Sequence, residues 1–355
     1  MNDTLLSASP RFGKWINVHF DRQGTIAGAE IKTYLLEKAR VIHQTDGERN
    51  YHIFYQVCGA ASQHKMLSDL GLGNPSQFNY TKTCTTANNM DDGKSFERTK
   101  QALHFIGFDP QTQQHIFAAL SAVLHLGSLA FTADKNGDAI MADDRNLSVM
   151  SSLLKVDPQE VRKAVCNRVI SAGGETMVKP ETLEKAYQCR DALAKALYSK
   201  LFDHIVTCVN AALKLKSNMQ TMQVSVLDIF GFEVFQFNRF EQFCINYANE
   251  KLQLHFNHYN FMLERQLYAK EGIELIESDF VDNSAYAHLP PISPLSLLHP
   301  SIHPSIHHST LLILFNLLPR PPTTPSRPNA LYPKTSIGRR TMLRPYLEQA
   351  RNPKL

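Results

Sequence analysis

The chain has 355 residues, of which 43% are hydrophobic and 20% are charged, a composition typical of a soluble globular protein with about two domains. A net charge of +4 is too small to indicate binding to nucleic acid. The most apolar stretch, residues 311–318, is far shorter than the roughly 20 residues that span a bilayer, so no membrane insertion is expected. The amino terminus lacks the basic and apolar regions of a signal peptide, which favours a cytoplasmic location.

Disulfide and metal-binding patterns are weak in this chain. The six cysteines are scattered and form no CxxC pair, which predicts reduced thiols in an intracellular protein. Four histidines cluster within residues 299–308, but no acidic or cysteine side chain accompanies them as a further ligand. We therefore expect neither a disulfide framework nor a metal site.

The first predicted elements are two strands. Residues 15–20 and 25–32 alternate between polar and apolar side chains around the loop Asp21-Arg22-Gln23-Gly24, a pattern typical of a β-hairpin. Residues 34–42 are expected to turn helical or to form a buried connection. Apolar residues at helical spacing then predict helices over residues 47–60, 95–106, 111–126, 150–154, 159–165 and 181–210.

Glycine and polar residues predict the connections within this mostly helical region. Gly127 is expected to cap the helix over residues 111–126 at its carboxyl end. Residues 134–144 are expected to form an exposed connection. The Gly pair within residues 170–180 predicts an exposed loop.

One stretch, residues 224–273, organises the chain as strand, tight turn and long helix. Its apolar, β-branched beginning predicts a buried strand, with Asp228 near the strand's end and Gly231 soon after it. Such a carboxylate can order the water shell of Mg²⁺, and a Gly amide can approach a phosphate. The stretch predicts either a Mg-nucleotide switch or a core strand that feeds an amphipathic helix. Helical spacing continues to Gly272, and four aromatic side chains at its start are expected to pack in the core: Phe235, Phe237, Phe240 and Phe243.

The carboxyl-terminal segment differs in kind from the rest. Thirteen of the 18 prolines lie at or beyond Pro290, where Glu348 is the only acidic residue. No periodic apolar face is present, so residues 284–355 are predicted to be disordered. The abrupt change in composition near Ala285 indicates a splice or gene-model discontinuity.

The sequence LDIFGFEVFQFNRFEQFCINYANEKLQLHFN, from Leu227 onward, resembles the switch II turn and relay helix of the myosin motor domain. The matches cover residues 11–283 and are most similar to the unconventional classes, especially class five. Other matching segments follow the family's order: RFGKW at Arg11, YLLEKARV at Tyr34, GERNYHIFYQ at Gly47, VLHLG at Val123 and RDALAKALYSKLFDHIV at Arg190.

The resemblance implies an α/β fold of the P-loop NTPase type, incomplete in this chain. Residues 11–42 would carry the end of switch I and a sheet hairpin. Residues 43–222 would form the helical upper part of the actin-binding cleft, and residues 223–273 would form switch II and the relay helix. Residues 1–10 would be a leader foreign to the family. Because family members are actin-activated ATPases, the resemblance implies Mg-ATP as cofactor and the actin filament as partner.

The resemblance also implies roles for residues of the nucleotide site. Asp228 would order the water shell of Mg²⁺, and Gly231 would contact the γ-phosphate through its amide. Glu233 would pair with Arg11 of switch I, closing a gate that fixes a water for in-line attack. Ser9 would keep one switch I hydroxyl. The alternative is that Arg11 and Glu233 are ordinary surface charges.

Residues 170–180 match the family's actin-facing loop. Glu175 falls where an acidic or phosphorylatable residue tunes the affinity for actin, or it is simply a solvated loop residue. Arg168 and Lys179 would contact the acidic surface of actin. Calmodulin-type light chains are not expected, because the lever that binds them is absent from the chain.

Two departures from the family pattern bear on activity. No GxxxxGK[ST] occurs in the chain, so the phosphate cradle and its lysine are missing. Pro10 stands where a serine should ligate Mg²⁺, and proline offers neither a hydroxyl nor an N–H. We therefore favour a motor segment that is not catalytically competent as written, with a non-catalytic actin-binding or interaction fragment as the alternative. An unrelated P-loop GTPase or kinesin-like motor would not explain GERNYHIFYQ.

Overall fold

The structure is a computed structural model in which residues 11–87, 90–142, 144–172, 175–214, 222–234, 238 and 240–273 are described. By its internal contacts the chain divides into two units, Met1–Thr323 and Thr324–Leu355, and every described residue lies in the first. The predictions for the leader, for Ser9 and for the segment 284–355 fall outside the described residues. None of the described helices is long and apolar enough to cross a membrane.

Pairs of strands and groups of helices follow one another along the described part of the chain. The strands are β1 (Gly13–Phe20), β2 (Ile26–Tyr34), β3 (Phe131–Ala133), β4 (Ala139–Met141), β5 (Asn167–Ala172), β6 (Glu175–Pro180) and β7 (Met222–Asp228). The α-helices are α1 (His52–Ala60), α2 (Asp92–Ile106), α3 (Pro110–Gly127), α4 (Asp144–Leu154), α5 (Pro158–Cys166), α6 (Leu183–Leu213), α7 (Phe240–Asn257) and α8 (Leu263–Glu271). Short 3₁₀ turns cover Lys38–Val41, Lys65–Leu70 and Pro75–Gln77.

The predicted hairpin and the predicted strand near Val224 combine into one antiparallel sheet. Its order is β2-β1-β7, and Ile16 of β1 lies opposite Ile31 on one side and Val226 on the other. The hairpin prediction is thus confirmed. The prediction that β7 is buried is wrong, since all seven of its residues are exposed and Val224 keeps 55% of its surface. β7 is an edge strand of this sheet within the described part of the chain, so its apolar side chains have few neighbours to pack against.

The other edge of the sheet is covered by a side chain of α6. Asn210 accepts a hydrogen bond from the Ile31 N–H at 2.7 Å and donates one to the Ile31 carbonyl at 2.8 Å. The amide therefore satisfies both backbone groups of Ile31 on the open side of β2, as a neighbouring strand would. This contact joins the sheet to the helices.

The helices confirm most of the periodicity-based predictions and form one hydrophobic core, here called the helical core. Its largest fully buried side chains include Phe54 and Tyr55 of α1, Phe96 of α2 and Phe117 of α3. The connection over residues 34–42 contains a 3₁₀ turn in which Arg40 and Val41 are buried.

Two segments that the sequence predicts as exposed connections are in fact hairpins. Within residues 134–144, β4 pairs with β3, and Ala139 and Met141 are buried beneath the α-helices. The segment 170–180 belongs to the pairing of β5 with β6, which runs from the Asn167–Pro180 pair to the Ala172–Glu175 pair. The strands of both hairpins are short and carry polar residues among apolar ones. Their composition therefore favours a loop, whereas pairing with an adjacent strand determines the observed structure.

The long helix after β7 is nearly continuous. α7 passes through one π-helical turn, His258–Met262, into α8, and Gly272 follows with a positive φ of 68°. The prediction that the aromatic residues at its start pack in the core is wrong for Phe240 and Phe243, which are exposed, because few described residues face α7. Phe235 and Phe237 lie outside the described residues.

Gly127 allows the ring of Tyr80 to pack against α3. The prediction that it caps this helix is wrong. It is the last residue of α3, and Ser128 takes the cap position. A Cβ built on Gly127 would lie 2.3 Å from Cε2 of Tyr80, whose ring is buried and whose hydroxyl donates to Asp191 at 2.7 Å. Only glycine lets this ring approach the helix so closely.

The Gly127→Ala variant should unfold more readily because its methyl group overlaps a ring that cannot shift without losing its hydrogen bond. We expect a loss of about 1–3 kcal/mol in unfolding free energy, measured by urea denaturation followed by circular dichroism. Gly93→Ala in α2 is the control, since its Cβ would meet its nearest atom at an ordinary 3.5 Å. Equal stability of the two variants would show that Tyr80 does not constrain position 127.

Candidate functional site

The sheet register brings Arg11 and Glu233 together. Arg11 lies just before β1, and Glu233 lies just after β7. Because these strands pair antiparallel, with Lys14 opposite Asp228, the start of β1 and the end of β7 meet at one end of the sheet. Nη1 of Arg11 is 3.1 Å from Oε1 of Glu233, and the two side chains are only 9% and 10% exposed. We call Arg11 and Glu233 the switch pair.

The backbone of Glu233 is held by the long helix. Asn246 of α7 accepts a hydrogen bond from the Glu233 N–H at 2.8 Å and donates one to the Glu233 carbonyl at 2.7 Å. The two hydrogen bonds attach the backbone of Glu233 to α7. This connection links one member of the switch pair directly to the helix.

Further charged side chains surround the switch pair. Nε of Arg11 lies 3.9 Å from Glu37, and Nη2 lies 3.8 Å from Glu48. Arg40 contacts the same two carboxylates more closely, at 2.7 Å each. Two guanidiniums thus face three carboxylates in a largely buried cluster.

Burial and neighbouring charge shift the pKa of two of these groups. Burial raises the pKa of Glu233 above its usual value; the positive charge of Arg11 opposes this shift, and the negative charge of Glu37 adds to it. Burial lowers the pKa of Arg40, but its ion pairs with Glu37 and Glu48 outweigh that effect and leave it raised. The cluster therefore holds Arg40 charged, while Glu233 takes up a proton more easily than an exposed glutamate does.

Asp228 and Gly231 lie where the sequence predicts them, at the end of β7 and in the turn after it. The Asp228 carboxylate is half-exposed and forms an ion pair with Nζ of Lys14 at 2.9 Å. Gly231 is exposed, and a Cβ built on it would meet no atom within 4 Å. The backbone at Gly231 is therefore open to approach by a ligand.

The described residues provide one side of a Mg-nucleotide site and not the whole of it. Oε2 of Glu233 is buried without a hydrogen-bond partner in the described part of the chain, so it can accept a bond from a ligand. No group of three or more His, Cys, Asp or Glu side chains suited to a metal ion occurs among the described residues, and Asp228 is already paired with Lys14. These groups by themselves do not make a complete Mg-nucleotide site.

The candidate actin-facing residues lie on the β5–β6 hairpin. Arg168 and Lys179 are directly opposite each other in its register; Lys179 is exposed, and Arg168 is half-buried. Beside them, Met177 and Val178 leave more than half of their surface exposed. Glu175 begins β6, opposite Ala172. The hairpin therefore presents basic and apolar side chains together.

Sequence reasoning missed several residues of the charge cluster. Glu37 and Arg40 lie within the segment YLLEKARV, and Glu48 lies within GERNYHIFYQ. The sequence did indicate that these residues pair, because they lie within or next to apolar stretches and a charge that is buried needs a partner. Asn246 carried no comparable signal, since asparagine is common on exposed helix surfaces.

The comparisons with known proteins agree with this architecture. Residues 4–299 match the family model "Myosin head (motor domain)". The chain is 45% identical to unconventional myosin-Vc of Homo sapiens over 278 residues, which are 78% of this chain and 16% of that protein. It is 42% identical to Myosin-3 of Arabidopsis thaliana over 293 residues, which are 82% of this chain and 25% of that protein.

The family match identifies the chain as a portion of a P-loop NTPase motor domain. The chain belongs to the myosin head (motor domain) family. It spans about a quarter or less of the length of the relatives it matches. The resemblance inferred from the switch II and relay-helix segment is thereby confirmed.

The raised pKa of Glu233 has a measurable consequence. The folded chain binds a proton at this residue more readily than the unfolded chain does, so the stability that residue 233 contributes is lost as the pH rises from the usual value of 4.5 through the raised pKa. Relative to Glu233→Gln, which cannot titrate, the native protein should therefore lose stability across that window. Urea denaturation at several pH values, followed by the fluorescence of the only tryptophan, Trp15, measures this difference. A difference that stays flat or grows with pH would contradict the assignment.

Proposed function

We propose that this chain is the part of a myosin motor that senses the γ-phosphate and passes its state to the relay helix. The observation that carries the proposal is the buried ion pair between Arg11 and Glu233 at 3.1 Å. A pair of this kind can close one side of a phosphate site and exclude bulk water from it. The free Oε2 of Glu233 can then accept a hydrogen bond from the attacking water.

The connection to the helix supports the second half of this proposal. Asn246 holds the Glu233 backbone from both sides, so closing or opening the pair moves the start of α7. The nearly continuous helix from α7 to α8 extends that displacement over residues 240–271. Its π turn at His258–Met262 is a place where such a helix can change its path.

We propose the activity of the whole motor for the longer protein that this segment represents. That activity is ATP hydrolysis coupled to movement on actin filaments, with Mg-ATP as cofactor and a cytoplasmic location on the actin cytoskeleton. Asp228 would order the metal's water shell, Gly231 would contact the phosphate through its amide, and Ser9 would provide a hydroxyl. When bound, Mg-ATP supplies the phosphoryl group and the metal charge, and the chain's residues orient the water and exclude solvent.

The 355-residue polypeptide alone should not turn over ATP. Catalysis of phosphoryl transfer depends on positioning and electrostatics, and the sequence contains no GxxxxGK[ST] cradle and has Pro10 at a ligand position. We expect no stopped-flow signal with a fluorescent ATP analogue at micromolar concentration and no phosphate release above the rate without protein. Binding of the analogue at micromolar affinity would overturn this expectation.

A second candidate function is binding to actin without catalysis, favoured by the basic and apolar surface of the β5–β6 hairpin. If it holds, the wild-type chain should cosediment with actin filaments. The double variant Arg168→Glu, Lys179→Glu should bind about three- to tenfold more weakly, because charge contacts at the rim of an interface are modest individually. Lys82→Glu, at another exposed lysine, is the matched control. If the wild-type chain stays in the supernatant at high actin concentration, this candidate fails.

A further inference from the structure

The guanidinium of Arg11 has carboxylate neighbours on two different parts of the molecule. Glu233 approaches from the chain that follows β7. Glu37 and Glu48 approach from the connection between β2 and α1, at 3.9 and 3.8 Å. One cation is therefore shared between the switch region and the connection that leads into the helical core.

The connection side of this arrangement is held in several ways. Arg40 binds Glu37 and Glu48 at 2.7 Å each and donates from Nη1 to the carbonyl of Arg49 at 3.0 Å. The N–H of Glu37 donates to the Arg11 carbonyl at 3.1 Å. We call Glu37, Glu48 and Arg40 the arginine seat.

The arginine seat is in turn fixed to the helical core. Arg49 forms an ion pair with Asp92, at the first residue of α2, at 2.7 Å, and its guanidinium lies 3.7 Å from the centre of the Tyr55 ring. The Tyr51 hydroxyl donates to the Glu37 carbonyl at 2.9 Å, and the Tyr51 ring stacks on Tyr198 of α6. Moving the seat would therefore disturb buried aromatic and ionic contacts on three helices.

The Glu233 side is attached to a less buried element. Its backbone is held by Asn246 of α7, a helix of 18 residues in which Gln242, Ile245 and Asn257 are the buried positions. Among the described residues, fewer packing contacts oppose a shift of α7 than oppose a shift of the helical core. We therefore expect α7, and not the helical core, to move when the switch pair separates.

We propose that Glu37, Glu48 and Arg40 are positioning residues that keep the Arg11 guanidinium on the helical core when the switch pair opens. Glu233 then departs with α7, while Arg11 keeps two carboxylate partners. This arrangement avoids leaving an uncompensated buried cation, which is strongly unfavourable. The proposed gating role rests on the proposed function, whereas the seat itself is a property of the chain without nucleotide.

Chemical labelling of arginine in the full chain tests the seat. Phenylglyoxal modifies accessible guanidiniums, and mass spectrometry of peptides cut at residues other than arginine gives the rate at Arg11. Glu233→Ala, which imitates opening, should leave this rate within about threefold of the wild-type rate. Adding Glu37→Gln and Glu48→Gln to Glu233→Ala should raise the rate about tenfold or more above that of Glu233→Ala alone, because this triple variant removes the three carboxylates that surround the buried guanidinium. Glu160→Gln, which breaks a surface pair with Lys163, should leave the rate unchanged.

Labelling of Arg190 reports whether each variant is folded, since this residue is buried and donates to the Leu129 carbonyl. If the triple variant exposes Arg190, Glu233→Ala combined with Glu37→Gln alone, or with Glu48→Gln alone, is judged by the direction of its change at Arg11. The proposal is overturned if Glu233→Ala alone raises the rate at Arg11 as much as the triple variant does, or if the triple variant leaves the rate unchanged. Because no nucleotide or actin is present, this result is independent of whether the proposed function holds.

Discussion

Burial of charge at the end of the sheet is the constraint on which the rest of the structure depends. Two guanidiniums and three carboxylates, those of Arg11, Arg40, Glu37, Glu48 and Glu233, share a largely water-excluded region. Such charges are tolerated only when their partners are placed accurately, because the desolvation cost is comparable to the attraction gained. The strands, turns and helix that bring these five side chains together are therefore constrained in position by the cluster.

The antiparallel sheet and the long helix supply that placement. β1 is the central strand of the sheet. Its register with β7 places Arg11 and Glu233 at the same end of the sheet. Its register with β2 places the start of the connection between β2 and α1 at that end as well. Asn210 closes the free edge of β2, and Asn246 performs a similar role for the turn at Glu233. The Asn210 amide thus attaches the sheet to α6, and the Asn246 amide attaches the segment after β7 to α7. Arg11 is thus held beside the connection to the helical core, whereas the Glu233 backbone is held by α7.

Much of this could be predicted from the sequence, and the failures have physical causes. Periodicity identified the helices and the β1–β2 hairpin, because each buries one face against neighbours close in the chain. It failed for the β5–β6 hairpin, where pairing between two short strands outweighs a loop-like composition. It failed for the burial of Val224 and Phe240 because burial depends on which distant segments are present, and few described residues face either one. The switch pair followed from the family resemblance, whereas Glu37, Glu48 and Arg40 needed coordinates, since no local pattern tells which buried charges meet.

The central claim is that Arg11 and Glu233 form a buried ion pair. A double-mutant cycle on the unfolding free energy tests it. The cycle compares the wild-type chain with Arg11→Met, Glu233→Gln and the combined variant. The account predicts a coupling free energy above about 1 kcal/mol, because side chains in direct contact in a charged network are not additive. Additivity within about 0.5 kcal/mol, the behaviour of distant and independent sites, would contradict it.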